Sequence, residues 1–164
     1  MANRTLMKAV DDALRPHGFV RRKKNWHLQE TETVLVVGLR KCDWGNYYFI
    51  DLGVWLRELQ ENQFPQAEHC HIGSELHMIA RNGEALEQAL DLEDFSIADE
   101  DRPPVIIEAL SRDGVPYLHE WDTRSKICKR LRRNDLSFEG RGYAAVLKVV
   151  YDLCGVEIPP PLPE

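Results

Sequence analysis

The sequence predicts an α+β fold: a three- to four-stranded antiparallel sheet, a meander, packed against helices. Two observations carry that reading. Residues 33–57 hold two β-branched and aromatic runs on either side of Cys42-Asp43-Trp44-Gly45-Asn46, the pattern of a hairpin. Apolar residues recur at helical spacing ahead of it (Leu6, Val10, Ala13, Leu14) and near the C-terminus (Tyr143, Leu147, Val150, Tyr151, Cys154).

The elements follow in order. A helix is expected over 3–14 and is stopped by Pro16 and Gly18. Phe19 opens a strand that runs to Leu28, and its basic run, Arg21 to Lys24, suits a solvated edge. Residues 29–32 turn into the central hairpin. Side chains alternate along a strand, so Tyr48, Ile50, Leu52, Val54 and Leu56 share one face and read as core. Tyr47, Phe49, Asp51, Gly53, Trp55 and Arg57 share the other. After a polar connection, residues 70–78 hold a short fourth strand and 84–90 a short helix. The acidic stretch 91–101 reads as a surface connection. Pro103 and Pro104 suit the first turn of a helix over 104–112, with Gly114 as a cap just past its end. Residues 115–121 form a buried elbow. Thr123 caps a helix whose stripe is Ile127, Cys128 and Leu131, and a last helix over 141–154 ends at Gly155. Helices 3–14, 104–112 and 141–154 should cover the Tyr48–Val54 face. Residues 1–158 read as one domain and 159–164 as a proline-rich tail.

At 164 residues the chain can bury an independent core, and a net charge of −6 argues against a general nucleic-acid binder. The first residues lack the apolar region of a signal peptide, and no apolar run approaches the ~20 residues of a membrane span. The four cysteines form no Cys-x-x-Cys pair. A cytoplasmic protein with reduced thiols, no cofactor and no membrane partner is the simplest expectation.

Three constellations bear on function. Tyr47, Phe49 and Trp55, with Asp51 and Arg57, form an aromatic and charged strand face, the composition of interface centres. That face either binds a partner or is covered as a second small core. Around His69-Cys70-His71 with His77, strand parity would aim the three histidines at one metal ion, although a full ligand set is not evident. Cys70 with His71 or His77 would alternatively make a nucleophile and base. The basic clusters 21–24 and 124–133 would form a nucleic-acid platform if they met on one surface.

The chain also resembles a family. Leu14, Gly18-Phe19 and the basic strand, Leu39-x-Lys41, Ile50-Asp51-Leu52-Gly53-Val54, Cys70-His71-Ile72 and Gly114-Val115-Pro116-Tyr117-Leu118 are together similar to the bacterial domain of unknown function 4304. The resemblance spans roughly residues 6–133. It implies an α+β fold and supplies no activity. Arg40 stands where the family pattern has Gln, and Asp51 where it has Asn. The functional expectation is a non-catalytic module that binds another protein, of an immunity or inhibitor type by analogy of size and charge. The competing readings are a hydrolase or metal-dependent protein centred on Cys70 and His71, and a nucleic-acid-binding module using helix 124–133.

Overall fold

The computed structural model of the chain describes residues 2–133 and 144–158. Five antiparallel strands pair in sequential order: β1 (Val20–Arg22), β2 (Asn25–Gln29), β3 (Thr33–Lys41), β4 (Tyr48–Leu56) and β5 (Ile72–Glu75). The α+β meander is the expected one, with five strands rather than three to four. The added strand comes from residues 19–28, which fold back at Lys23-Lys24 instead of running straight. Lys23 takes a left-handed backbone, φ 56°, and its carbonyl accepts from the Arg21 guanidinium at 2.9 Å. Nothing in the Lys-Lys pair carries the usual chemistry of a turn. The basic β1 lies at the sheet edge, where its lysine-rich end discourages further pairing.

The hairpin register pairs Thr33 with Leu56 and Lys41 with Tyr48. Tyr48, Ile50, Leu52, Val54 and Leu56 are all buried, in one cluster with Leu35, Val37 and Leu39. The helices complete that cluster: α1 (Ala2–Leu14), α2 (Leu76–Ile79), α3 (Gly83–Leu90), α4 (Arg102–Ala109), α5 (Val115–His119), α6 (Arg124–Arg132) and α7 (Ala144–Cys154). Asp11 of α1 also accepts from the indole of the fully buried Trp26, at 3.1 Å.

Gly114 does not cap a helix. Residues Leu110–Gly114 form a π turn that carries the chain directly into α5, and Gly114 itself is helical at φ −69°, ψ −53°. A Cβ there would sit 3.0 Å from Leu76 Cδ1, so glycine serves helix packing rather than termination. The expected elbow is therefore α5, with Val115, Tyr117 and Leu118 buried and Trp121 just beyond it. Thr123 does cap α6, its hydroxyl accepting from the Lys126 N–H at 3.2 Å. Val150, Tyr151 and Cys154 are buried in α7, and Gly155, φ 64°, ends it. Residues 141–143, with Tyr143, lie outside the described residues, as do the Leu147 side chain and the tail 159–164. Cys128 and Cys154 are joined by a disulfide between α6 and α7. This corrects the expectation of four reduced thiols; Cys42 and Cys70 are free and buried.

The opposite face of the sheet is crossed by a strap, residues 57–71, that links β4 to β5. It starts at Arg57, whose guanidinium donates to Gln29 Oε1 and, at 3.0 Å, to the Glu30 carbonyl. The Gln63 carbonyl then accepts from Gln29 at 2.7 Å, and the Pro65 carbonyl meets His27 Nε2 at 2.8 Å. Ala67 N–H donates to Asn25 Oδ1 at 3.1 Å. Beneath the strap Val34, Val36, Trp55, Ala67 and Cys70 form a second, smaller core. It is this strap that covers Trp55. Trp55→Ala should therefore lower stability by about 3–5 kcal/mol in chemical denaturation. A variant with wild-type stability would contradict the second core.

Candidate functional site

The strap covers only half of its face. Beyond Ala67 the sheet opens into a cleft of about 470 Å³, lined by Lys23, Lys24, Gly38, Arg40, Asp51 and Glu68 among others. β3 and β4 supply its floor. Gly38 sits opposite Asp51 in the register, and Arg40 opposite Phe49. The Arg40 guanidinium lies 4.5 Å from the centre of the Phe49 ring. It donates to Asp51 Oδ2 at 2.8 Å and to Glu75 Oε1 at 3.2 Å. The bond to Asp51, opposed by partial burial, raises the Arg40 pKa above its ordinary value and so keeps the guanidinium charged. Asp51 is 4% exposed, and a carboxylate that deep needs such a partner. Arg40 and Asp51 are thus each other's partners.

The polar chain continues outward. His77 Nδ1 lies 3.1 Å from Glu75 and its Nε2 3.7 Å from Glu87. A neighbouring hollow of about 200 Å³ is lined by Tyr47, Phe49, His77, Glu87 and Asp91 among others. Tyr47 and Phe49 meet edge to face at 5.4 Å in the wall of this hollow. At the cleft rim Lys23, Lys24 and Lys41 are exposed and form no ion pair among the described residues.

The five residues expected on the binding face divide accordingly. Tyr47, Phe49 and Asp51 come together at the open end. Trp55 and Arg57 anchor the strap: the Trp55 indole donates to the Gln60 carbonyl at 2.7 Å, and Arg57 also pairs with Glu61 at 3.3 Å. Sequence reasoning missed the cleft residues Gly38, Lys24 and Glu68 as a group. Strand parity puts Gly38 and Arg40 on the Asp51 side, but only the path of the strap shows which part of that side stays open.

The histidines near Cys70 go to three different settings, because Ala67–His69 is a 3₁₀ turn and strand parity does not apply across it. His69 is exposed. His71 is buried, its Nδ1 accepting from the Leu56 N–H at 2.9 Å and its ring 4.2 Å from that of Trp55. His77 is on α2. The Cys70 thiol points to the Gln66 carbonyl at 3.4 Å, and complete burial pushes its pKa far above the usual thiol range. Among the described residues, the side chains near enough to share a metal ion are Glu30, His119 and Asp122, with ligand atoms within 4.8 Å of one another. There the Lys126 ammonium already holds Asp122 at 2.7 Å.

The two basic clusters lie at opposite ends of β3. Lys24 receives the Leu39 N–H, whereas α6 begins beside Glu32. The seven residue steps from Glu32 to Leu39 span roughly 23 Å of strand. Much of the charge is also committed. Arg124 pairs with Glu58 and Lys126 with Asp122, while Arg130 pairs with Glu120 and lies over the Trp121 ring. Arg22 stacks on Phe64 of the strap. No described helix is long and apolar enough to cross a membrane.

The family described as "Domain of unknown function (DUF4304)" matches residues 10–120, more than half of the chain. No curated protein and no solved structure matches it.

Two buried histidines give the fold a defined acid sensitivity. Burial lowers the His71 pKa from an ordinary 6.5 to about 4, and burial is also the largest cause lowering that of His27. Both rings are therefore neutral in the folded state where an unfolded chain would protonate them. Stability should be fully retained above pH 6.5 and fall as pH drops toward 4, with His71 alone contributing up to about 3 kcal/mol of the loss. In His71→Gln the fall of unfolding free energy over that window should be shallower. Equal slopes in the two proteins would contradict the neutral, buried imidazole.

Proposed function

We propose, for a chain that belongs to the family described as DUF4304, a non-catalytic role: it binds another protein through the open end of the strapped sheet face. The observation that carries this reading is the cleft itself. Its floor is a fixed ion pair, Arg40 with Asp51, stacked on Phe49, and its rim holds lysines with no ion pair among the described residues. A rigid aromatic and guanidinium platform with uncommitted charge around it suits specific recognition, because little side-chain freedom is lost on binding.

Binding is favoured over catalysis here because Cys70 and His71 are committed to packing under the strap, one protonated by burial and the other bonded to backbone. Binding to protein is favoured over nucleic acid because the basic clusters face different ends of the sheet. An immunity or inhibitor role, the narrower form of this reading, rests on size and acidic charge alone.

The test is quantitative affinity capture from the native host. Wild type should recover a protein partner, and Lys24→Glu with Lys41→Glu should recover at least tenfold less, equivalent to about 1.4 kcal/mol, without a change in melting temperature. Arg132→Glu with Arg133→Glu, on the far side, should recover it as wild type does. Equal recovery by the cleft variant, or recovery of nucleic acid instead of protein, would overturn the proposal.

A further inference from the structure

At the tip of the β3–β4 hairpin the chain leaves two aromatic side chains almost wholly in water. Trp44 is 95% exposed and Phe95 is 92% exposed, whereas Trp26 and Trp121 are fully buried. A single exposed apolar side chain is ordinary; two large rings on adjoining loops are not. The loops are tied to each other. Asn46 N–H donates to Glu93 Oε1 at 3.1 Å, the Asn46 carbonyl accepts from Leu92 N–H at 3.1 Å, and Tyr47 makes an isolated bridge with Asp91.

The second loop is also held from beneath. Arg102 is 3% exposed. Its guanidinium donates to the carbonyls of Gln88 at 3.0 Å, Asp91 at 2.6 Å and Asp94 at 2.6 Å. A buried arginine spent on loop carbonyls fixes the backbone that carries Phe95, so the ring is presented rather than merely frayed outward. Pre-organisation of this kind lowers the entropic cost of binding. The second loop is strongly acidic, while on the hairpin side Asp43 lines the cleft together with Lys41. Asp43, Asp91, Glu93 and Asp94 flank the two rings, and the turn Asp99–Asp101 follows.

We propose that this acidic tip, with Trp44 and Phe95, docks on a cationic protein surface, its rings entering apolar recesses and its carboxylates meeting lysines and arginines. Charge complementarity selects that partner: an acidic surface is repelled by nucleic acid and by anionic lipid, and attracted by basic protein. The inference rests on the protein-binding reading above and adds the chemistry of the partner, using a surface that adjoins the lysine-rimmed cleft at Asp43.

Trp44 is itself the probe, being the exposed one of four tryptophans. A synthetic amphipathic peptide of lysine and leucine should shift its emission to the blue and shield it from acrylamide. The apparent Kd should rise at least tenfold between 50 and 300 mM salt, as screening shortens the reach of the carboxylates. Measured by anisotropy of a labelled peptide, Trp44→Ala with Phe95→Ala should bind at least tenfold more weakly at an unchanged melting temperature. Lys24→Glu in the cleft should bind the peptide no less tightly than wild type, and Glu84→Gln with Glu157→Gln, which removes two negative charges away from the tip, should match wild type. The proposal is overturned if a glutamate–leucine peptide or plain polylysine binds equally well, or if the double aromatic variant binds as wild type. It is equally overturned if Trp44 becomes shielded by self-association as protein concentration rises. Loss in Lys24→Glu but not in the aromatic variant would leave the cleft reading standing and this one refuted.

Discussion

The arrangement depends on how closely the strap can approach the sheet. Ala67 crosses between β3 and β4 at Gly38 and Gly53. A Cβ on Gly38 would lie 2.9 Å from the Ala67 Cβ, and one on Gly53 would lie 2.8 Å from the Ala67 carbonyl oxygen and 2.7 Å from Cys70 Sγ. All three distances are too short for any side chain. Two glycines on neighbouring strands therefore make a depression in the sheet into which the strap settles. From that contact follow the burial of Trp55 and Cys70, the neutral state of His71, and the edge of the cleft. Where the glycines end, Arg40 and Asp51 begin, and the sheet is open.

That boundary explains the division of labour on one strand face. Under the strap, apolar burial does the stabilising, and the polar groups of the strap are satisfied by β2 through Asn25, His27 and Gln29. Beyond it, a deep carboxylate is tolerable only because Arg40 neutralises it. A partly buried ion pair of this kind contributes little net stability, but it fixes the guanidinium over Phe49 and relays contact through Glu75 to His77. The result is a rigid polar floor on a chain whose other face is wholly committed to the helices.

Much of the scaffold was legible in the residues. The alternation of β4 identified its buried set, Tyr48 to Leu56, and Thr123 and Gly155 marked helix ends. What escaped was set by non-local packing. Lys23 adopts a left-handed turn without any of the residues that favour one, so two strands read as one. Gly114 looked like a helix end because glycine usually is one, whereas here Leu76 packs where its side chain would be. The five-residue aromatic face was legible as a face. Its division between core and cleft was not, because strap residues 58–68 are polar and carry no periodicity. Trp44 and Phe95 sat in stretches read as turn and connection, where an exposed aromatic leaves no pattern.

The proposed partner surface is the open half of the strapped face, not the helical side of the molecule. A photo-reactive phenylalanine placed in living host cells at Lys24, at Tyr47, or at the exposed Val149 of α7 tests it most directly. Positions 24 and 47 should cross-link to the same protein, and position 149 should not. Cross-linking at 149 alone would contradict it.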